Sequence, residues 1–159
     1  MLNGYAENST LASYGPAILR LVLATVFIAH GAQKLFAIWG GGGLTGTSDY
    51  FSQLGLDPAY PLAVVAGVLE FGGGLLLLLG AYTSVASGLL ILEMVVAIWT
   101  VHLSHGFFLP NGYEFNLTLV GALACLMLTG AGALSVDARR ASHAAAAAAG
   151  RARLRAGKV

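Results

Sequence analysis

Two glutamates, Glu70 and Glu93, stand in stretches built almost wholly of leucine, valine, isoleucine, alanine and glycine. An ionised carboxylate in hydrocarbon costs on the order of 3 kcal/mol even on insertion scales, so each must be protonated, paired with a cation or facing a wet cavity. Protonatable groups so placed suit proton transfer, which makes both glutamates the catalytic candidates. A second set lies toward the ends of neighbouring apolar stretches. His30, Gln33 and Lys34 are spaced i, i+3 and i+4, on one face of a helix. Glu114 opens the last apolar stretch, and His102 and His105 close the one before it. Lys34 or His30 is the expected partner of Glu114, giving a polar cluster of His30, Lys34, His102 and Glu114 beside the aromatic Trp39, Phe107 and Phe108. Arg20 has the reach to pair with Glu70 or Glu93, as a structural ion pair that keeps the carboxylate charged. Axial haem ligation by His30 and His102 fits poorly, because their expected depths differ by nearly a turn. His102, His105 and Glu114 have metal-ligand chemistry, but the irregular 104–113 segment gives them no defined geometry, and no metal is expected.

The elements that must carry these groups are read from composition. Of 159 residues 57% are hydrophobic and only 9% charged, with a mean hydropathy of +0.79, whereas soluble domains run at about 25% charged. Four spans are expected, over residues 14–39, 61–80, 83–103 and 114–133, the fold class being an all-α membrane protein folded as an antiparallel four-helix transmembrane bundle. Glu70 and Glu93 then lie roughly 14 and 15 Å into their spans at 1.5 Å per residue, near the bilayer centre. The two-residue link Ala81–Tyr82 makes spans two and three antiparallel neighbours. A short interfacial helix over Thr47–Leu54, capped by Thr47 or Ser48, is expected in the first external loop, with Tyr50, Phe51 and Leu54 toward lipid. Gly67 and Gly74 share the Glu70 face and allow a neighbouring backbone to approach closely. Thr118, Gly121 and Cys125 continue from Glu114 as a small and polar stripe expected to face the interior. Cys125 is the single cysteine, which rules out an internal disulfide or a CxxC relay.

The domain division expected is an N-terminal cytoplasmic segment at 1–13, a membrane domain at 14–137 and a basic Ala/Arg-rich cytoplasmic tail at 138–159. Six of the eight lysines and arginines follow the last span, which places that end, and with four spans the N-terminus too, on the cytoplasmic side. The tail is expected as a frayed helix attracted to anionic lipid. A secretory signal peptide at the first stretch is disfavoured, because a cut after Ala32 would follow His30 where small residues are wanted.

Arg20, His30–Gly31 with Lys34, Glu70 with Gly73 and Gly74, Gly80, Thr83, Ala97, His102, Gly106 with Phe107 and Phe108, Glu114, Gly132, Ser135 and Asp137 occur in an order and spacing that resembles the DoxX family across roughly residues 16–137. The resemblance implies a multi-pass bacterial inner-membrane protein, some of whose relatives are subunits of quinone-linked or thiol-handling oxidoreductase complexes. It implies a quinone as the cofactor, with His30, Lys34, His102 and Glu114 at its head and Glu70 or Glu93 relaying protons. No covalently bound cofactor is expected. The implied partners are the lipid bilayer and a membrane or peripheral oxidoreductase, with no nucleic acid. The other class of function is a non-enzymatic scaffold or small-molecule carrier in which the same charges are structural pairs closing the bundle.

Overall fold

The computed structural model describes residues 11–156, so most of the N-terminal 1–13 segment and the last three residues of the tail lie outside the described residues. Helices account for nearly all the regular structure, with no strand among the described residues. They are α1 (Tyr14–Phe36), α2 (Gly43–Gln53), α3 (Ala59–Leu79), α4 (Thr83–Ala97), α5 (Glu114–Thr129) and α6 (Val136–Ala156). A π-helical turn at Ile98–His102 and a 3-10 turn at Leu103–His105 prolong α4. Three helices are long and apolar enough to cross a membrane: α1, α3 and α4 with its prolongation, at 23, 21 and 23 residues. α5 is apolar but has 16 residues.

Backbone chemistry explains the ends. α1 stops at Phe36 rather than Trp39, since Ala37 and Trp39 take left-handed φ values of 56° and 50°. α3 begins at Ala59, two residues ahead of Pro61. The proline still falls in the first turn, where its missing N–H has no helical partner to lose. α5 ends at Thr129, short of 133, because Gly130 breaks away from helical geometry. α2 starts at Gly43, four residues before Thr47, with Gly42 at its N-cap and no side-chain cap. Thr47 instead donates its hydroxyl to the Gly43 carbonyl at 2.8 Å. The tail forms a regular helix, α6, whose described side chains beyond Asp137 are exposed.

Glycine sets the contact of α1 with α3. A Cβ on Gly31 would strike the Phe71 backbone, one on Gly67 would come within 2.7 Å of Leu35, and one on Gly74 within 2.8 Å of Ile28. These pairings run in opposite senses along the two helices. They confirm the close approach expected at Gly67 and Gly74. The hydrophobic core lies beside that contact, where Leu23 and Phe27 of α1 meet Leu77 of α3, Leu90 and Met94 of α4 and Leu119, Leu123 and Leu126 of α5.

The end of the assembly near the α3–α4 turn is closed by polar bonds. Gly80 (φ 62°) caps α3, and the side chain of Asp137 accepts from the backbone N–H groups of Tyr82 and Thr83, both at 2.9 Å, so a residue of α6 caps the start of α4. Burial pushes the Asp137 carboxyl up, but those two N–H groups and the nearby Arg140 outweigh it and hold it below the usual aspartate value. The unfolded chain therefore takes up this proton first, and the stability Asp137 contributes at neutral pH is lost as pH falls. Asp137→Asn is expected to lower the unfolding temperature at pH 7, with the gap to wild type closing below about pH 4. A gap that holds or widens in acid would show that the carboxylate charge is not what matters.

Candidate functional site

The helices enclose one large cavity of about 830 Å³, walled by α1, α3, α4 and α5 and covered in part by α2. Its polar groups come from all five of these helices. Lys34 Nζ lies 2.5 Å from Glu70 Oε2, an ion pair in which Glu70 is only 6% exposed. The helix register explains why they meet. The three glycine contacts put Lys34 less than a turn from the level of Glu70, and a lysine on a helix leans back toward the N-terminus, which here is toward Glu70.

Glu93 reaches the same layer from α4. A Cβ on Gly73 would touch Leu90 at 3.1 Å. Three residues along each helix from that contact, Glu70 and Glu93 stand at matching heights on facing helices. Glu93 Oε2 is buried without a hydrogen-bond partner and borders the cavity. An unsatisfied buried carboxylate oxygen is rare in proteins and is a ready partner for a ligand group. His30 joins from α1 with its ring 6.5 Å from that of Phe115. His102 enters from the π turn, its Nδ1 2.8 Å from the Asn111 carbonyl. A carbonyl only accepts, so Nδ1 carries the proton and, in the neutral ring, Nε2 is left as an acceptor.

Five of the sequence candidates therefore share one cavity: His30, Lys34, Glu70, Glu93 and His102. Glu114 stands apart, its Oε1 accepting from the Leu109 backbone N–H at 2.8 Å and so closing the 106–114 loop. Arg20 meets neither glutamate. Its guanidinium donates to the carbonyls of Leu77 and Leu78 at the end of α3 and of Ala133 and Leu134 before α6, at 2.7 to 3.2 Å. At the end of α3 the Leu77 carbonyl accepts only the capping Gly80 N–H, at 3.1 Å, and the Leu78 carbonyl lies past the last helical N–H, which is why a five-donor fork fits there. Trp39 is 69% exposed and Phe108 76%. Phe107 packs edge-on against Phe108 and Tyr113 in the loop. The aromatic walls are instead Phe27, Tyr50, Phe51 and Phe115, so Tyr50 and Phe51 of α2 turn toward the cavity.

Sequence reasoning missed Asn116, which is buried in the cavity wall with its amide 3.4 Å from the Met94 sulfur. It heads the buried face of α5 with Leu119, Leu123 and Leu126. The stripe at Thr118, Gly121 and Cys125 faces outward, a reversal of the expected face. An asparagine followed by leucines at i+3, i+7 and i+10 was the available signal. No group of three His, Cys, Asp or Glu side chains converges as metal ligands among the described residues.

A family model described as DoxX matches residues 15–103, more than half of the chain. The chain belongs to the DoxX family. Three relatives match over most of their own length. A protein of Haemophilus influenzae with no function in its name is 33% identical over 81% of this chain and 95% of its own length. "Putative oxidoreductase CatD" of Bacillus subtilis is 32% identical over 77% of this chain and 84% of its own. "Inner membrane protein YqjF" of Escherichia coli is 32% identical over 80% of this chain and 92% of its own. No solved structure matches this DoxX chain.

Proposed function

We propose that this DoxX protein crosses the bacterial inner membrane four times, as an antiparallel bundle of α1, α3, α4 and α5, and binds a quinone ring in its cavity as a subunit of a membrane oxidoreductase. The inner-membrane name of the YqjF relative and the three long apolar helices support the location. α5, about 24 Å long, completes a crossing of the roughly 30 Å hydrocarbon core with its flanking residues. The arginines of α6 support cytoplasmic termini. α2 then lies at the outer face, and residues 14–137 form the membrane domain.

One observation carries the functional reading: a largely apolar cavity holds, at one level, the Lys34–Glu70 pair and an unpartnered oxygen of Glu93. Apolar walls with a few convergent polar groups are what a ring bearing carbonyls requires. The residues present fit the group: Lys34 is placed to donate to a ring oxygen, His102 Nε2 to accept from a hydroxyl, and Glu93 and His30 to exchange protons with it. A bound quinone supplies two-electron chemistry, taking two electrons and two protons to become the quinol. The electrons come from a partner oxidoreductase, and this chain's residues handle the protons. The name of the CatD relative supports an oxidoreductase setting.

Titrating the protein in lipid nanodiscs with a tailless ubiquinone is the test. Saturable binding is expected, and Glu93→Gln or His30→Ala should weaken it about tenfold while leaving the unfolding temperature close to wild type. Absent binding, or variants that bind as wild type does, would leave the scaffold or carrier reading in its place.

A further inference from the structure

The cavity's walls include side chains that also face outward. Val65 of α3 and Leu89, Leu92 and Val96 of α4 all line it, yet they are 53%, 45%, 63% and 49% exposed. A side chain that borders a cavity and is half exposed on the outer surface lies on the cavity's rim. On this flank the rim is therefore the seam between α3 and α4, while Tyr50, Leu109 and Phe115, at 44%, 57% and 40% exposed, form the rim toward the loops. These helices touch where Gly73 meets Leu90; Leu89 stands beside that contact, and Val65, Leu92 and Val96 lie from it away from the tight Gly80 turn. Counting from Thr83 at 1.5 Å per residue, Leu92 stands about 14 Å and Val96 about 20 Å along α4. Both depths fall within a hydrocarbon core of about 30 Å. The seam accordingly opens onto lipid tails rather than water, and the four side chains along it are all aliphatic.

The side toward the loops is different. There Tyr50 and Phe51 of α2 stand across the cavity, and α2 packs on both α1 and α3. A water-borne ligand meets this cover, whereas a membrane-dissolved one meets an apolar slot.

We infer that the ligand of this cavity enters sideways from the bilayer between α3 and α4, and that it is an amphiphile whose ring sits at Glu70 and Glu93 while its apolar tail stays in the slot and runs out into lipid. This rests on the ring-binding reading above and adds the tail, the route and the residues that select for them. The tail adds affinity by burying apolar surface against Val65 and Leu92, and it keeps the ring oriented with its oxygens inward.

The experiment compares a long isoprenoid ubiquinone with the tailless ring on the full chain in nanodiscs. Wild type should bind the long-tailed form more tightly. Val65→Trp and Leu92→Trp, which narrow the slot, should lower its affinity about tenfold while changing that for the tailless ring by less than about twofold. Equal losses for both ligands, or no loss for either, would overturn the lateral slot. The opening itself is read without any ring. In a Trp39→Phe, Trp99→Phe background, a Phe27→Trp reporter is buried from the outer surface but lines the cavity. Lipids brominated on their acyl chains should quench it, and an unquenched reporter would overturn the opening. If neither ring binds wild type while the reporter is quenched, it is the quinone reading that fails, together with the ring assigned here, and the slot then admits lipid chains alone.

Discussion

Lys34→Met is expected to destabilise the protein by about 3 kcal/mol or more, and the loss should be largely recovered in Lys34→Met/Glu70→Leu. Removing one partner of a buried ion pair typically costs about 3–5 kcal/mol, because the surviving charge is left uncompensated. Here the survivor is Glu70, 6% exposed and held by the lysine at 2.5 Å. Lys34 itself is 26% exposed, which favours the lower end of that range. In the double variant no charge is stranded, and an apolar replacement of similar volume suits a largely apolar cavity wall. Thermal unfolding of the four members of the cycle in detergent gives the coupling directly. Additive losses would mean that the two side chains do not depend on each other.

Arg20→Met should cost about 2–4 kcal/mol, for a different reason. No carboxylate is bonded to this guanidinium, which is 3% exposed and bridges four backbone carbonyls from two segments far apart in the chain. Hydrogen bonds to a charged donor contribute about 1.5–3 kcal/mol each, and buried carbonyls left without donors cost about 1–3 kcal/mol apiece. Water reaching this end of the helices returns part of that. Arg20→Lys should restore little, because an ammonium cannot span two pairs of carbonyls as a planar fork does. Arg139→Ala, at an exposed position on α6, is the control and should unfold as wild type does. A lysine variant as stable as wild type would show that charge alone is needed at this position.

The helices were legible because their apolar runs are long and their breaks are marked by glycine or proline. That Glu70 and Glu93 stand at one level followed from simple counting along the two helices from the Ala81–Tyr82 link. Pairing was harder to read. Assigning depth by Cα position put Lys34 in an outer layer with Glu114, when its side chain leans back along α1 toward Glu70. Arg20 was matched to a carboxylate because backbone carbonyls are invisible in a sequence, although the end of α3 was certain to leave several without donors. The inward face of α5 was misread for a reason particular to apolar helices. When leucines cover both faces, hydrophobic periodicity no longer distinguishes core from lipid, and small residues such as Gly121 and Cys125 are an unreliable guide. The aromatic walls were misplaced because α2 starts four residues early and carries Tyr50 and Phe51 across the cavity, while Trp39 and Phe108 point outward.

The most direct measurement of the central claim is photolabelling of the protein in lipid with a ring-azido quinone, followed by mass spectrometry of the labelled peptides. The account predicts label on the cavity faces of α1, α3 and α4 near His30, Glu70 and Glu93, competed away by unlabelled quinone and reduced in Glu93→Gln. Label confined to the loop around Phe107 and Phe108, or label that unlabelled quinone does not displace, would contradict it.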